Sequence, residues 1–351
     1  MRTTRAGSSF TIVGENTHAT RSLSRSGRHI TELPDGRPAI RFEDAAGHER
    51  FLTLPPALRD GQDFAAGKVK HVRAAVLALL DDREPDASDA RAYIEALARR
   101  QVAAGADWLD LNVDEVAPDG STRVAAMVQL VRSVEGLAIA PPAIDSSDPA
   151  VIRAGVEASG DPSGLLLNSA SLDRLEVLDL AASAGCAVVV AASGAAGLPK
   201  DAGQRVANAE RIVAEATRRG IPDDHLHVDP LVMPVGVEPE AGRHFLDAVR
   251  RLRERFGPRV HLTGGLSNVS FGLPGRRRLN DVFIDLATEA GADAGIIDPV
   301  ASDLGRIAAR DRSSRPHRLA AYLLTGADPY GMAYLTAFRA GELEREERVL
   351  A

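Results

Sequence analysis

Short aliphatic runs recur along this chain, and run after run ends in an aspartate or asparagine just before a longer segment with helical spacing begins. The strand candidates are Phe10 to Gly14, Trp108 to Val113, Ala143 to Asp145, Leu165 to Asn168, Ala187 to Ala192, Leu226 to Asp229, Val260 to Gly264 and Ala294 to Asp298. Apolar spacing predicts helices over Asp89 to Ala104, Thr122 to Glu135, Pro149 to Ala158, Leu172 to Ala184, Ala202 to Arg219, Pro239 to Phe256 and Leu279 to Ala290. Repeated strand–helix alternation implies a parallel sheet. Eight such units fit a closed (β/α)₈ barrel better than an open doubly wound sheet, which has fewer strands and opens on a glycine-rich phosphate loop. No G-x-G-x-x-G follows the first strand, and 351 residues suit one barrel with additions.

Two segments depart from this rhythm. Between residues 22 and 67, the turn formers Pro34-Asp35-Gly36 and Ala46-Gly47 separate the alternating stretches Arg28 to Leu33, Ala39 to Glu43 and Arg50 to Leu54. They predict a β-hairpin insertion after strand one that lids or flanks one end of the barrel. The barrel is thus expected over residues 1–300. Residues 301–351 read as a C-terminal helical extension packed on it, closing in the charged run GELEREERVLA, a solvated terminal helix.

Charge and cysteine content exclude several settings. The net charge is −7 and the only compact basic run is Arg276 to Arg278, which argues against nonspecific nucleic-acid binding. The single cysteine, Cys186, has no disulfide partner and sits among apolar neighbours, so a buried thiol in a cytoplasmic protein is expected. The start MRTTRAGSSF lacks an apolar stretch, and no apolar run approaches the roughly 18 residues of a membrane span.

The strongest signal is where the polar residues stand. In a barrel of this class, reactive groups come from the C-terminal ends of strands. Here those ends read Asp110-Leu111-Asn112, Asp145-Ser146-Ser147, Asn168-Ser169, Asp229-Pro230, Ser267-Asn268 and Asp298-Pro299. One such residue alone would be a turn former or helix cap; six together point to a binding site. The nine histidines are scattered, with His225 and His227 the only close pair, so no metal site is expected. Gly264-Gly265 with Arg276 to Arg278 gives partial support to a phosphate site. Amides and carboxylates match a flat, neutral heterocycle with several N–H donors and ring acceptors. Gly264 and Gly265 would leave the backbone room to approach such a ring, or simply bend the chain.

The stretches GADWLDLNV, AIDSSDPAVIRAGVEA, LLLNSAS, GLPKDAGQR, LHVDPLVMPV and GLSNVSFG with RRRLND resemble the pterin-binding barrel of methyltetrahydrofolate:corrinoid methyltransferases. That group includes the folate domain of cobalamin-dependent methionine synthase. The likeness runs from Phe10 to about Pro299. It implies a pterin-binding TIM barrel, tetrahydrofolate or 5-methyltetrahydrofolate as substrate, a homodimer, and methyl transfer to or from a corrinoid protein in one-carbon metabolism. No segment here has the size of a cobalamin domain, so the cobalamin is expected on a partner protein.

Carried over by residue, the resemblance makes Asp145, Asn168 and Asp229 pterin anchors and Asn112 a site-lining residue, with Ser267 and Asp298 as further binding candidates. Asn268 matches the amide that meets N5, the nitrogen carrying the methyl group. Methyl leaves or arrives as N5 gains positive character, and a hydrogen bond that strengthens with that charge favours the transition state. Asp145 is a second catalytic candidate, tuning the proton supply. Lys200 and Arg205 are candidates for the glutamate tail of folate, or parts of a solvated loop. Where the family has G-E-R-x-N at the first strand, this chain has Gly14-Glu15-Asn16-Thr17-His18. Asn16 and His18 are therefore candidates for contact with the tail or the corrinoid partner, with a turn histidine as the plainer reading of His18. A dihydropteroate synthase-like enzyme and a noncatalytic folate-binding module remain alternatives. The direction stays open between methylation of the corrinoid and demethylation of a methylcorrinoid.

Overall fold

The computed structural model describes residues 9–83, 85–194 and 197–343, so most of the charged terminal run lies outside the described residues. The eight aliphatic runs become β1 (Thr11–His18), β2 (Trp108–Asn112), β3 (Pro142–Asp145), β4 (Leu166–Ala170), β5 (Ala187–Ala191), β6 (Leu226–Asp229), β7 (His261–Leu262) and β8 (Ala294–Ile297). Their hydrogen-bonded order is β7-β6-β5-β4-β3-β2-β1-β8. A parallel bridge between Gly265 and Ile296 links the two ends of that order. With helices between the strands, the fold class is the expected (β/α)₈ barrel.

By compactness the chain divides into two units. The first holds residues 13–169 and 179–187, with most of β1, all of β2 and β3, nearly all of β4 and the insertion. The second holds residues up to 12, 170–178 and those from 188 onward, including β6 to β8 and the C-terminal extension.

In the first unit, β1 outruns its apolar stretch by four polar residues, Glu15 to His18. The cause is a bulge: β1 advances from Gly14 to Thr17 while its partner β2 advances only from Leu109 to Leu111. Gln101, fully buried on helix Asp86–Ala103, fills it. Its Oε1 accepts the Asn16 N–H at 2.8 Å and its Nε2 donates to Thr17 Oγ1 at 3.0 Å. A Cβ on residue 14 would lie 2.5 Å from that Oε1, so any side chain there would have to push the Gln101 amide out of the bulge. Gly14→Ala should displace the Gln101 amide and cost about 1–3 kcal/mol of stability, read from denaturant unfolding.

The insertion is richer than a hairpin. Ile30–Glu32, Pro38–Glu43 and Glu49–Thr53 pair as a three-stranded antiparallel sheet, because both anticipated turns form, with Gly36 and Gly47 each at φ +83°. It packs on the flank of helix Asp86–Ala103: Phe42 meets Tyr93 edge-on at 4.9 Å, and Arg50 pairs with Asp89 at 2.7 Å. A two-residue pairing of Leu23–Ser24 with Lys68–Val69 brackets the insertion, and Lys70 Nζ reaches the Thr20 carbonyl at 3.0 Å.

The predicted helices form, most with ends a few residues from expectation; Pro149–Ala158 matches at both ends. Helix His71–Asp81 is an addition, nearly apolar all round, with 7 of its 11 residues buried. In the second unit the extension contains helices Leu304–Ala309, Arg315–Leu324 and Met332–Arg339. Buried Asp281 and Asp285 of helix Arg276–Ala290 anchor it through Arg306, Arg310 and Arg312. Among the described residues no helix is long and apolar enough to cross a membrane.

Candidate functional site

In the first unit, strand register alone assembles a polar row. His18 pairs with Asn112, Asn112 with Asp145, and Asp145 with Asn168. Register partners in adjacent strands share a face, so four polar side chains stand abreast at the C-terminal ends of β1 to β4. Asn112 Nδ2 donates to Asp145 Oδ2 at 2.9 Å, while its Oδ1 accepts the Asp114 N–H at 3.0 Å, which fixes the amide's orientation. His18 Nε2 lies 3.4 Å from the same Asp145 Oδ2. Asp114 clamps the turn beyond Asp145: Ser146 Oγ donates to it at 2.5 Å, and the N–H and Oγ of Ser147 each do so at 2.8 Å.

Below this row stands Asp110, which sequence reasoning placed at a strand end without giving it a role. Two residues before Asn112 on β2, it shares that residue's face one layer deeper and is 1% exposed. Asn168 Nδ2 approaches its Oδ1 at 3.5 Å. Burial, and then the charge of Asp145, push its carboxyl well above the usual carboxylate range. The alternation in Asp110-Leu111-Asn112 is the signal that could have found it. His18, Asp110 and Asp145 bring ligand atoms within 4.8 Å of one another, the one such group among the described residues. This is closer than the scattered histidines suggested. A carboxyl that favours its proton, beside an oxygen already held by the Asn112 amide, suits hydrogen bonding to a neutral ring better than holding a cation.

In the second unit, Asp229 ends β6 and its Oδ1 accepts the Leu231 N–H at 2.7 Å. Burial outweighs that bond and the Arg205 charge, and the carboxyl is pushed up to about 6. The two glycines clear space for the protein's own side chains. A Cβ on Gly264 would fall 3.2 Å from Asp229 Oδ1, and one on Gly265 only 2.7 Å from Asn268 Nδ2. β7 ends at Leu262, and Leu266–Ser270 winds into a 3₁₀ turn that carries Asn268, half-buried, with its N–H on the Gly265 carbonyl at 3.0 Å.

The remaining candidates have plainer places. Ser267 is buried, and its carbonyl accepts from Arg276 Nη2 at 3.1 Å, the guanidinium lying 4.5 Å over Phe271. Asp298 caps its own turn, accepting the N–H groups of Val300 and Ala301 at 3.1 Å each. Arg205 is fully buried and donates to the carbonyls of Pro199, Asp201 and Leu231, so it ties two loops together instead of reaching for a glutamate tail. Lys200 is exposed in the same loop. Asn16 Oδ1 accepts Arg21 Nη2 at 2.5 Å, and that guanidinium also holds Glu15 at 3.1 Å.

Residues 79–298 match the family described as pterin binding enzyme. The chain is 30% identical to the methylcorrinoid:tetrahydrofolate methyltransferase of Eubacterium limosum over 72% of this chain and 89% of that protein. It is 32% identical to the methionine synthase of Mycobacterium tuberculosis over 57% of this chain, though only 18% of that much longer protein. A crystal structure of a dihydropteroate synthetase superposes with a TM-score of 0.50 at 19% identity, over 64% of this chain and 88% of that one; this likeness speaks to fold alone. With the family pattern spanning more than half of its length and a relative matched almost end to end, the chain belongs to the pterin-binding enzymes, in the group of methyltetrahydrofolate:corrinoid methyltransferases.

Proposed function

We propose that this enzyme moves a methyl group between the cobalt of a separate corrinoid protein and N5 of tetrahydrofolate, with tetrahydrofolate as acceptor in the working direction. The observation that supports it most is the row of Asn112, Asp145 and Asn168, which offers donors and acceptors side by side as the edge of an amino-pyrimidinone ring requires. The name of the Eubacterium limosum relative supports the direction. The corrinoid supplies a methyl group that departs without its bonding electrons. In this reading Asp145, Asn168, Asn112 and Asp229 orient the pterin, and Asn268 meets N5. As N5 bonds carbon it becomes cationic and must release its proton to solvent; until then the Asn268 carbonyl oxygen accepts a hydrogen bond from that N–H, strengthening as the charge grows.

Purified protein mixed with cob(I)alamin and 5-methyltetrahydrofolate, and separately with methylcobalamin and tetrahydrofolate, should interconvert the two cobalamin spectra. Absence of exchange together with absence of folate binding would overturn the proposal. A homodimer belongs to the same reading and is checked by sedimentation.

Asp229 gives the site a pH dependence. A ring N–H needs the carboxylate as acceptor, and that form appears as pH rises through about 6. Tetrahydrofolate should therefore bind about 3–10-fold more tightly at pH 7 than at pH 5 by titration calorimetry, and Asp229→Asn should flatten this step. The stability effect has the opposite sign. A carboxyl raised in the fold favours folding while protonated, so that contribution is present below the unfolded value of 3.8 and is lost as pH rises through about 6.

A further inference from the structure

We infer that His18 is a positioning residue of this site, donating its Nε2–H to Asp145 so that one carboxylate oxygen is held by the protein and the other is presented to the ligand. The inference rests on the folate reading for its consequence, though not for its geometry. The bulge at Glu15 and Asn16 brings His18 opposite Asn112; with equal advance on both strands, Thr17 would stand there. His18 is thereby a member of the row, while its Nδ1 also makes it the hydrogen-bonded turn histidine that the sequence suggested.

The tautomer follows from the neighbours. The backbone N–H of Thr20 donates to His18 Nδ1 at 3.2 Å, and a backbone amide can only donate. Nδ1 therefore carries the lone pair, the Thr20 hydroxyl at 2.6 Å donates to it as well, and the proton of the neutral ring sits on Nε2. That nitrogen faces Asp145 Oδ2 at 3.4 Å. Asn112 donates to the same oxygen at 2.9 Å, so Oδ2 is the oxygen that the protein side engages. Oδ1 is left to accept from a ring N–H, above the buried Asp110. Lys70 on the Thr20 carbonyl and Gln101 in the bulge hold the imidazole's own support in place.

Glutamine tests this directly, because its Nε2 falls near the imidazole Nε2 and supplies the same donor without a ring. His18→Ala should weaken tetrahydrofolate binding about tenfold by calorimetry, while His18→Gln stays within about threefold of the wild type. The methyl-transfer rate at saturating folate should change little in either variant, since the effect is on orientation of an anchor. Full affinity in His18→Ala, or His18→Gln as weak as His18→Ala, overturns the inference. In the ligand-free protein, ¹⁵N spectra of the histidines, with His18 assigned by its disappearance in His18→Gln, should show the Nε2–H tautomer and a shift of that signal in Asp145→Ala; an Nδ1–H tautomer overturns it. If the wild type binds no tetrahydrofolate, the proposed function falls and the tautomer measurement alone decides the role of His18.

Discussion

Replacing Asn268 by alanine is expected to slow methyl transfer about 100-fold while changing tetrahydrofolate affinity less than about threefold. The asymmetry follows from when the interaction matters. In the ground state N5 is a weakly polar amine, and one neutral hydrogen bond to it adds little to binding. During transfer the nitrogen becomes cationic, and a bond to a charged partner is roughly twice as strong. The structure makes the substitution a clean one. The turn that carries Asn268 is held by backbone bonds, from the Asn268 N–H to the Gly265 carbonyl and from the Phe271 N–H to the Asn268 carbonyl, which survive loss of the amide. Single-turnover mixing with methylcobalamin gives the rate and calorimetry gives the affinity. Equal losses in both would reduce Asn268 to a binding residue.

The second large effect separates two aspartates that stand close together. Asp145→Asn should weaken tetrahydrofolate binding about 100-fold, whereas Asp110→Asn should stay within about threefold of the wild type. Asparagine at position 145 puts an amide NH₂ where an acceptor is needed, and it must face either the ligand or the donors from Asn112 and His18. Burial and the Asp145 charge both disfavour the ionised form of Asp110. A protonated carboxyl and an amide each offer one donor and one acceptor side, so that exchange is nearly isosteric. Were Asp110→Asn the more damaging, Asp110 and not Asp145 would be the charged anchor. Melting curves should show both variants folded.

Much of this architecture is legible in the sequence because apolar periodicity is a local property. β6 and helix Pro149–Ala158 lie where their patterns place them, and the strand ends carry Asn112, Asp145, Asn168 and Asp229 as expected. What escapes depends on distant partners. Glu15 to His18 has the composition of a turn; it is strand only because Gln101, 85 residues from Asn16, fills the bulge. Asp110 is visible as a residue, but its neighbours on β3 and β4 create its burial and hence its preference for the neutral form. Gly264 and Gly265 read as room for a ligand ring, since nothing local shows that Asp229 and the folded-back Asn268 occupy that space. Arg205 resembles a free cation for the same reason: the carbonyls that claim it come from two different loops.

The bulge in β1 makes the site sensitive to residue count as well as to residue identity. Losing the bulge without losing a residue would shift the phase of everything downstream by one step and set Thr17 opposite Asn112, whereas a chain one residue shorter would reach the same register with no bulge. With Thr17 and His18 on opposite faces, any such frame change would swap an imidazole for another side chain without altering a single contact residue by substitution. A comparison of relatives that aligns only amino-acid types across GENTH would therefore miss the variable that matters, which is how many residues each chain places between its glycine and the end of its first strand.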